Sequence, residues 1–412
     1  MIPSILLAAI TATVPIGANH SNESQTIPWY EGKFDQAMEV AVAKDKPIFL
    51  YCWGQQSETC SKFQSSTLAD EKAIASVQDY LCLGANVGAV EGRQLIDHYG
   101  VQTLPTILII RPDGKVDDAI LGMIGADGFV DEMKRIQRGE GTVTALIAEV
   151  DRLAKSKDLH AAIDARFRLI GKFNDVGRRE EATSTKNEIF KLDPKSKTLI
   201  ASRLWMWDLM EASWGESKDQ AEGADAKEMK ADYSDLEKFA KKTKHSELSF
   251  EAWAWMAKGH YHAEDSKNGR AALMMAMESA SPESEVEFGA QVSEMFFKDR
   301  DQLSRKERKF AGTLAQKLHH GGEAQLASMN EKRAACEASC GEEGCGNYGC
   351  GSSEEDWNAQ VVQMRAGLMD AAAMAFLSAG ENEQALHLWK ECQKLAPARE
   401  GLAERIELVT AG

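Results

Sequence analysis

Two short segments near the N-terminus constrain the fold more than any other feature of this chain. The first is the continuous apolar run Ile48–Trp53, which is typical of a central strand covered on both faces of a sheet. The tetrapeptide Ser57-Glu58-Thr59-Cys60 follows it and opens an amphipathic helix. The second segment, residues 99–106, brings Pro105 and Thr106 to the start of another apolar run. Together they predict an α/β domain.

The elements around these two segments follow a definite order. Apolar residues recur at helical spacing, continuous apolar runs indicate strands, and Pro112-Asp113-Gly114-Lys115 is typical of a hairpin turn. The predicted order of elements in residues 26–138 is therefore helix, strand, helix, strand, helix, Pro-Thr loop, hairpin and helix. The predicted bounds are helix 34–43, strands 48–53, 80–87 and 106–111, and a closing helix at 128–136.

In this order and with these motifs, residues 26–138 resemble the exported thioredoxin-like domains whose core reads Lys-Pro, an apolar run and Trp-Cys-x-x-Cys-Lys. Such domains include the C-terminal domain of the bacterial periplasmic disulfide reductase. The resemblance implies a thioredoxin-like fold. It places Trp53 on the family's aromatic residue, Ser57 on its nucleophilic cysteine, Cys60 on its resolving cysteine and Pro105 on its cis-proline.

The chain lacks the family's first cysteine. In the family that cysteine lies at a helix N-terminus, where the helix dipole lowers its pKa and makes it the attacking thiolate. Ser57 has no base to activate it, and serine is a good helix N-cap, so we predict a structural role for it. Cys60 could form a mixed disulfide with a partner, but it could not complete a dithiol cycle with Ser57. Cys52 and Cys82 are predicted to be small buried hydrophobic residues.

Composition and the N-terminus restrict the partners and the location. A formal net charge of −16 leaves no basic patch for phosphates, so we expect no nucleic-acid partner. Residues 1–18 are apolar and then turn polar, which predicts a signal peptide and an exported protein, periplasmic or secreted. A buried apolar N-terminus is the alternative. Nothing else in the sequence is long enough to span a bilayer.

Residues 142–412 give hardly any strand signal. Their three prolines, Pro194, Pro282 and Pro397, each follow a helical pattern, as in tetratricopeptide-like helical hairpins. The segment before Pro397 fits best, with its turn at residues 380–382. An irregular helical bundle is the alternative. A tetratricopeptide-like stack would present a concave surface for a protein or peptide client.

Four cysteines, Cys336, Cys340, Cys345 and Cys350, form a cluster in residues 336–350. Cys336 and Cys340 fall at i and i+4 of a predicted helix and share a face. Two disulfides, in any of three pairings, could clip the glycine-rich loop to this helix, and export favours this chemistry. Tetrahedral zinc is the alternative, and otherwise no cofactor is predicted.

Two functions fit the residues. The first is a thioredoxin-fold module that recognises protein partners without dithiol oxidoreductase activity, with the helical region as its binding surface. The second is a monothiol oxidoreductase acting through Cys60, with Trp53 and Pro105 shaping its site. The missing nucleophile favours the first.

Overall fold

The structure is a computed structural model that describes residues 26–213, 231–340 and 353–411. The chain divides into two compact units, one up to Lys195 and one from Ser196. The described part of the first unit contains α1 (Phe34–Lys44), β1 (Ile48–Trp53), α2 (Glu58–Lys62), α3 (Glu71–Ser76), β2 (Leu81–Asn86), α4 (Val90–His98), β3 (Thr106–Ile110), β4 (Val116–Leu121), α5 (Ala126–Gln137), α6 (Val143–Leu153), α7 (Leu159–Asp175) and α8 (Arg179–Leu192).

The four strands form one mixed sheet in the order β2-β1-β3-β4. Strand β1 pairs in parallel with β2, so Trp53 lies opposite Asn86, and it pairs antiparallel with β3. Strands β3 and β4 form the predicted antiparallel hairpin. The predicted α/β fold class is confirmed, and the elements predicted with bounds lie within two residues of those observed.

Side chains of β1 alternate between the two faces of the sheet. Phe49 and Tyr51 belong to a core that includes Phe63 and Phe129, whose rings meet edge to face at 6.2 Å. A π-helical segment, Phe63–Thr67, continues α2 and supplies Phe63. The remaining β1 side chains, those of Ile48, Leu50 and Cys52, are fully buried on the opposite face. Both faces of the central strand are therefore covered, which explains its unbroken apolar sequence.

Polar contacts attach α6 and α7 to β4. The carboxylate of Asp117 accepts hydrogen bonds from the backbone N–H and the hydroxyl of Thr144 in α6. Asp118 is completely buried, and its two oxygens pair with Lys172 Nζ at 2.8 Å and Arg135 Nη1 at 3.0 Å. A buried carboxylate must be paired to remain charged. Helix α7 therefore supplies, through Lys172, part of the positive charge that the buried carboxylate of Asp118 requires.

The described residues of the second unit form helices joined by short connections. Its longest helix is rich in charged residues, and no helix in the described parts of the chain is long and apolar enough to cross a membrane. The helices are α9 (Leu199–Ser213), α10 (Ser234–Lys242), α11 (Ser246–His262), α12 (Ser266–Ser279), α13 (Pro282–Lys298), α14 (Arg305–Cys340), α15 (Glu354–Ala379), α16 (Asn382–Leu395) and α17 (Leu402–Thr410).

Helices α15 and α16 form a hairpin whose turn begins at Gly380, in the left-handed conformation. Trp389 is fully buried there, and its indole N–H donates to the buried carboxylate of Asp370 at 2.8 Å. Arg399 and Arg405 also donate to Asp370. The turn at residues 380–382 lies where the sequence predicts it, whereas the tetratricopeptide-like repeat stays a prediction.

Candidate functional site

Ser57 begins α2 as its N-cap. Its backbone is extended, and its hydroxyl oxygen accepts a hydrogen bond from the backbone N–H of Cys60 at 3.3 Å. Glu58 lies in the first turn, where an acidic side chain is stabilised by the helix dipole. The half-buried Ser57 hydroxyl therefore stabilises the end of the helix, as the N-cap role predicts.

Cys60 lies one turn into α2 and is 1% exposed. The hydroxyl of Tyr51, on the neighbouring strand, donates to the Cys60 carbonyl oxygen at 3.4 Å. Burial raises the pKa of Tyr51 well above its ordinary value, and the adjacent Cys60 raises it further, so the phenol stays protonated. Trp53 lies parallel to Tyr51, with ring centroids 6.4 Å apart. Cys60 is thus buried, with the Tyr51 hydroxyl against it.

The loop before β3 adjoins the start of α2. The Leu104–Pro105 peptide bond is cis, and the Pro105 carbonyl accepts a hydrogen bond from the Gly122 backbone at 2.9 Å. A methyl group added at Gly54 would lie 3.6 Å from Leu104 Cδ1 and 3.9 Å from Ser57 Cβ. The structure therefore places Leu104, next to Pro105, beside Gly54 and Ser57 at the start of α2, and the role of these residues as one site stays a prediction.

Two further thiols in the domain, those of Cys52 and Cys82, are completely buried in neighbouring strands. Burial raises the pKa of each to about 12, and in Cys82 nearby Lys46 opposes this only in part. Both therefore remain protonated at neutral pH. Neither has the exposed, electropositive setting that makes a cysteine reactive.

The clustered cysteines lie away from this site in sequence. Helix α14 carries Cys336 and Cys340 at i and i+4, and Cys336 is half-buried. Cys345 and Cys350 lie outside the described residues, so the choice between disulfides and zinc stays a prediction.

The α7–α8 turn supports the segment that leads to Pro105, and the sequence does not predict this contact. Gly177, in the α7–α8 turn, has φ +76°. A methyl group added there would overlap the carbonyl oxygen of Tyr99 and lie 3.1 Å from the carbonyl carbon of the same residue. Arg178 stacks over Phe173 at 4.7 Å and donates to the Val116 carbonyl. A glycine turn between two helical patterns is visible in the sequence, but its contact with Tyr99 is not.

We expect Gly177→Ala to destabilise the first unit by more than about 2 kcal/mol, because the left-handed backbone penalises a Cβ and no room exists for one. Chemical denaturation measures the loss. Gly171→Ala is the matched control, since Gly171 lies within α7 with open space around it. That change should be neutral or stabilise by roughly 0.5–1 kcal/mol. Equal effects of both substitutions would contradict the tight approach at Tyr99.

Comparison with known proteins supports the assignment of the domain. Residues 34–137 match the family model of a thioredoxin-like domain. The thiol-disulfide oxidoreductase ResA of Bacillus subtilis (strain 168) is 30% identical over 122 residues, covering 25% of this chain and 68% of ResA. The thiol:disulfide interchange protein DsbD of Yersinia enterocolitica is 30% identical over 103 residues, which cover 24% of this chain.

The extent of these matches differs between the relatives. This chain spans only 18% of the length of DsbD. Among solved structures, a thioredoxin from Thermus thermophilus aligns at 18% identity over 28% of this chain and 92% of that one, with a TM-score of 0.26. The match to ResA, by contrast, extends over more than two thirds of that relative. Through its N-terminal α/β domain, the chain belongs to the thioredoxin-like family.

Proposed function

We propose that this protein is an exported thioredoxin-fold protein that recognises protein partners without a dithiol redox cycle, using its helical region as a binding surface. One observation carries the proposal: Ser57 caps α2 in place of a nucleophile, and the remaining thiol, that of Cys60, is 1% exposed. A dithiol cycle needs an accessible thiolate for attack and a second thiol to resolve the mixed disulfide. This site lacks the first.

The surface around Ser57 suits recognition of a client. Gln55, Gln56, Gln102 and Thr103 are exposed and uncharged, and they flank the buried Pro105. Uncharged polar side chains and loop backbone can hydrogen-bond an extended segment with little dependence on its charge. We therefore expect the domain to contact its client mainly through backbone groups of the client.

A monothiol oxidoreductase is the second candidate. It is favoured by the relatives, which are named as a thiol-disulfide oxidoreductase and a thiol:disulfide interchange protein. This function would require α2 to open, because a disulfide partner must reach the sulfur of Cys60.

Incubation of the reduced protein with oxidised glutathione separates the two candidates. Peptide mass spectrometry should find no glutathione on Cys60 in the folded protein, and full modification after unfolding. The Cys60→Ser variant is the control, because any glutathione found on it must be attached to another cysteine. A glutathione adduct on Cys60 under native conditions, absent in Cys60→Ser, would establish the monothiol function instead.

Export is tested separately. Expression of the whole chain in a bacterium with a periplasm should yield a periplasmic protein that has lost about its first 18 residues, as a small-residue cleavage site after an apolar stretch predicts. Intact mass measurement shows the cleavage. A full-length protein confined to the cytoplasm would contradict the proposed location.

A further inference from the structure

A groove lies between α11 and α13 in the helical unit. The two helices meet where the rings of Phe250 and Phe288 pack edge to face, 4.9 Å between centroids. Further along they enclose a cavity of about 640 Å³ with Leu273 of α12 among its lining residues. Cavities of roughly 300–1,000 Å³ are of the size that holds ligands in proteins.

The walls of the groove are two apolar stripes. On α11, Ala254 and Tyr261 are seven residues apart, and on α13 Phe288 and Met295 have the same spacing, which places each pair on one helix face. All four side chains are only partly buried and pack against the core of the unit. Methionine and aromatic side chains in such positions adapt readily to apolar partners.

Tyr261 is an aromatic residue of the cavity lining, and its hydroxyl is covered. Its oxygen is buried, and no hydrogen-bond partner reaches it among the described residues. Because the protein itself covers this oxygen, the hydroxyl is closed to a ligand in the groove, and the ring is the part of Tyr261 that counts as lining. Burial and the nearby Asp299 raise the pKa of Tyr261, so the hydroxyl stays protonated.

The charges around the groove leave one cation available. Lys258 is exposed at the edge of the cavity and forms no ion pair within the described ranges. Lys298, on the opposite wall, is paired with Glu294 at 2.9 Å. Arg270, whose charge also acts on Tyr261, is held by Asp299 at 2.6 Å and by Glu307 at 2.7 Å. In a chain of net charge −16, an unpaired lysine beside an apolar groove favours a partner that brings a carboxylate.

We infer that this groove binds an apolar segment of a client protein that carries an acidic residue. Apolar side chains of the segment pack against Phe288 and Met295, and its carboxylate pairs with Lys258. The inference rests on the proposed function, since it names the surface and the chemistry by which the helical region holds a partner.

Three synthetic peptides test the inference on the whole protein. Each is an N-terminally fluorescein-labelled Gly-Leu-Phe-Xaa-Leu-Phe-Gly amide, with Xaa as Glu, Gln or Lys, and fluorescence anisotropy measures binding. We expect the Glu peptide to bind at least tenfold more tightly than the Lys peptide. Lys258→Glu should reverse that order, whereas Lys267→Glu, the same charge change at an exposed lysine of α12 outside the cavity lining, should leave it unchanged.

A second variant tests the cavity itself. Ala254→Trp adds an indole to the groove wall and should weaken all three peptides at least tenfold, with unchanged helical circular dichroism. If that variant fails to fold, the effect of the exposed Lys258→Glu substitution on the order of peptide affinities tests the inference instead. Absence of binding, equal binding of the three peptides or indifference to Lys258→Glu would overturn the inference. None of these results bears on the reactivity of Cys60 towards glutathione. The proposed function is therefore tested separately, by the glutathione experiment.

Discussion

Ser57→Cys is expected to convert this protein into a dithiol reductase, with insulin reduction rising by roughly two orders of magnitude over wild type. The side chain at position 57 already lies at the N-terminus of α2, within 3.3 Å of the Cys60 backbone nitrogen. A thiol at a helix N-terminus has its pKa lowered to roughly 3.5–7.5, so it would be largely ionised at neutral pH. Cys60 then stands one turn away to resolve the mixed disulfide.

Two matched variants isolate the new activity. Ser57→Cys combined with Cys60→Ser should trap mixed disulfides but not turn over, because the resolving thiol is absent. Ser57→Ala should stay inactive and lose about 1 kcal/mol of stability with the helix cap. A folded Ser57→Cys variant that carries two free thiols and shows no reductase activity would contradict the site as described.

Simultaneous replacement of Arg135 and Lys172 by methionine is expected to destabilise the first unit by roughly 3–5 kcal/mol. Both cations pair with Asp118, whose side chain is fully buried between β4, α5 and α7. Without them, the remaining hydrogen bond from the Ala119 backbone cannot compensate a buried carboxylate. Urea denaturation of the whole chain, monitored by circular dichroism, measures the loss in free energy of unfolding.

The triple variant, with Asp118→Leu added, is the control for this prediction. It removes the charge that the double variant leaves unpaired, so it should recover at least half of the lost free energy of unfolding. If the triple variant is no more stable than the double one, the loss comes from packing of the two long side chains, and the account of Asp118 is wrong.

The local features of this fold could be predicted from the sequence. Strand β1 is an unbroken apolar run preceded by Pro47, and Pro112-Asp113-Gly114 marks the hairpin before β4. Ser57 was predicted to cap its helix, and the cap is present. Each of these signals depends on residues only a few positions apart, so a single sequence carries them.

The long-range features could not be predicted. Lys172 pairs with Asp118, which is 54 positions away in the sequence. Gly177 contacts backbone atoms of Tyr99, and backbone atoms are the same in every residue type, so the sequence does not indicate this contact. The helical pattern after residue 142 therefore gave no reason to group α6–α8 with the sheet. The groove beside Lys258 was missed for the same reason, because its two walls belong to helices that are recognised only as helices in the sequence.

The most direct test of the central claim is alkylation of the reduced, native protein at pH 6 to 9, read for each cysteine by mass spectrometry. We expect Cys60 to remain unmodified until the protein unfolds, because the residue is 1% exposed and the Tyr51 hydroxyl lies against it. Cys52 and Cys82 should behave alike, since burial raises the pKa of each to about 12. Rapid modification of Cys60 in the folded protein at neutral pH, with Cys52 and Cys82 still protected, would contradict a recognition module without thiol chemistry.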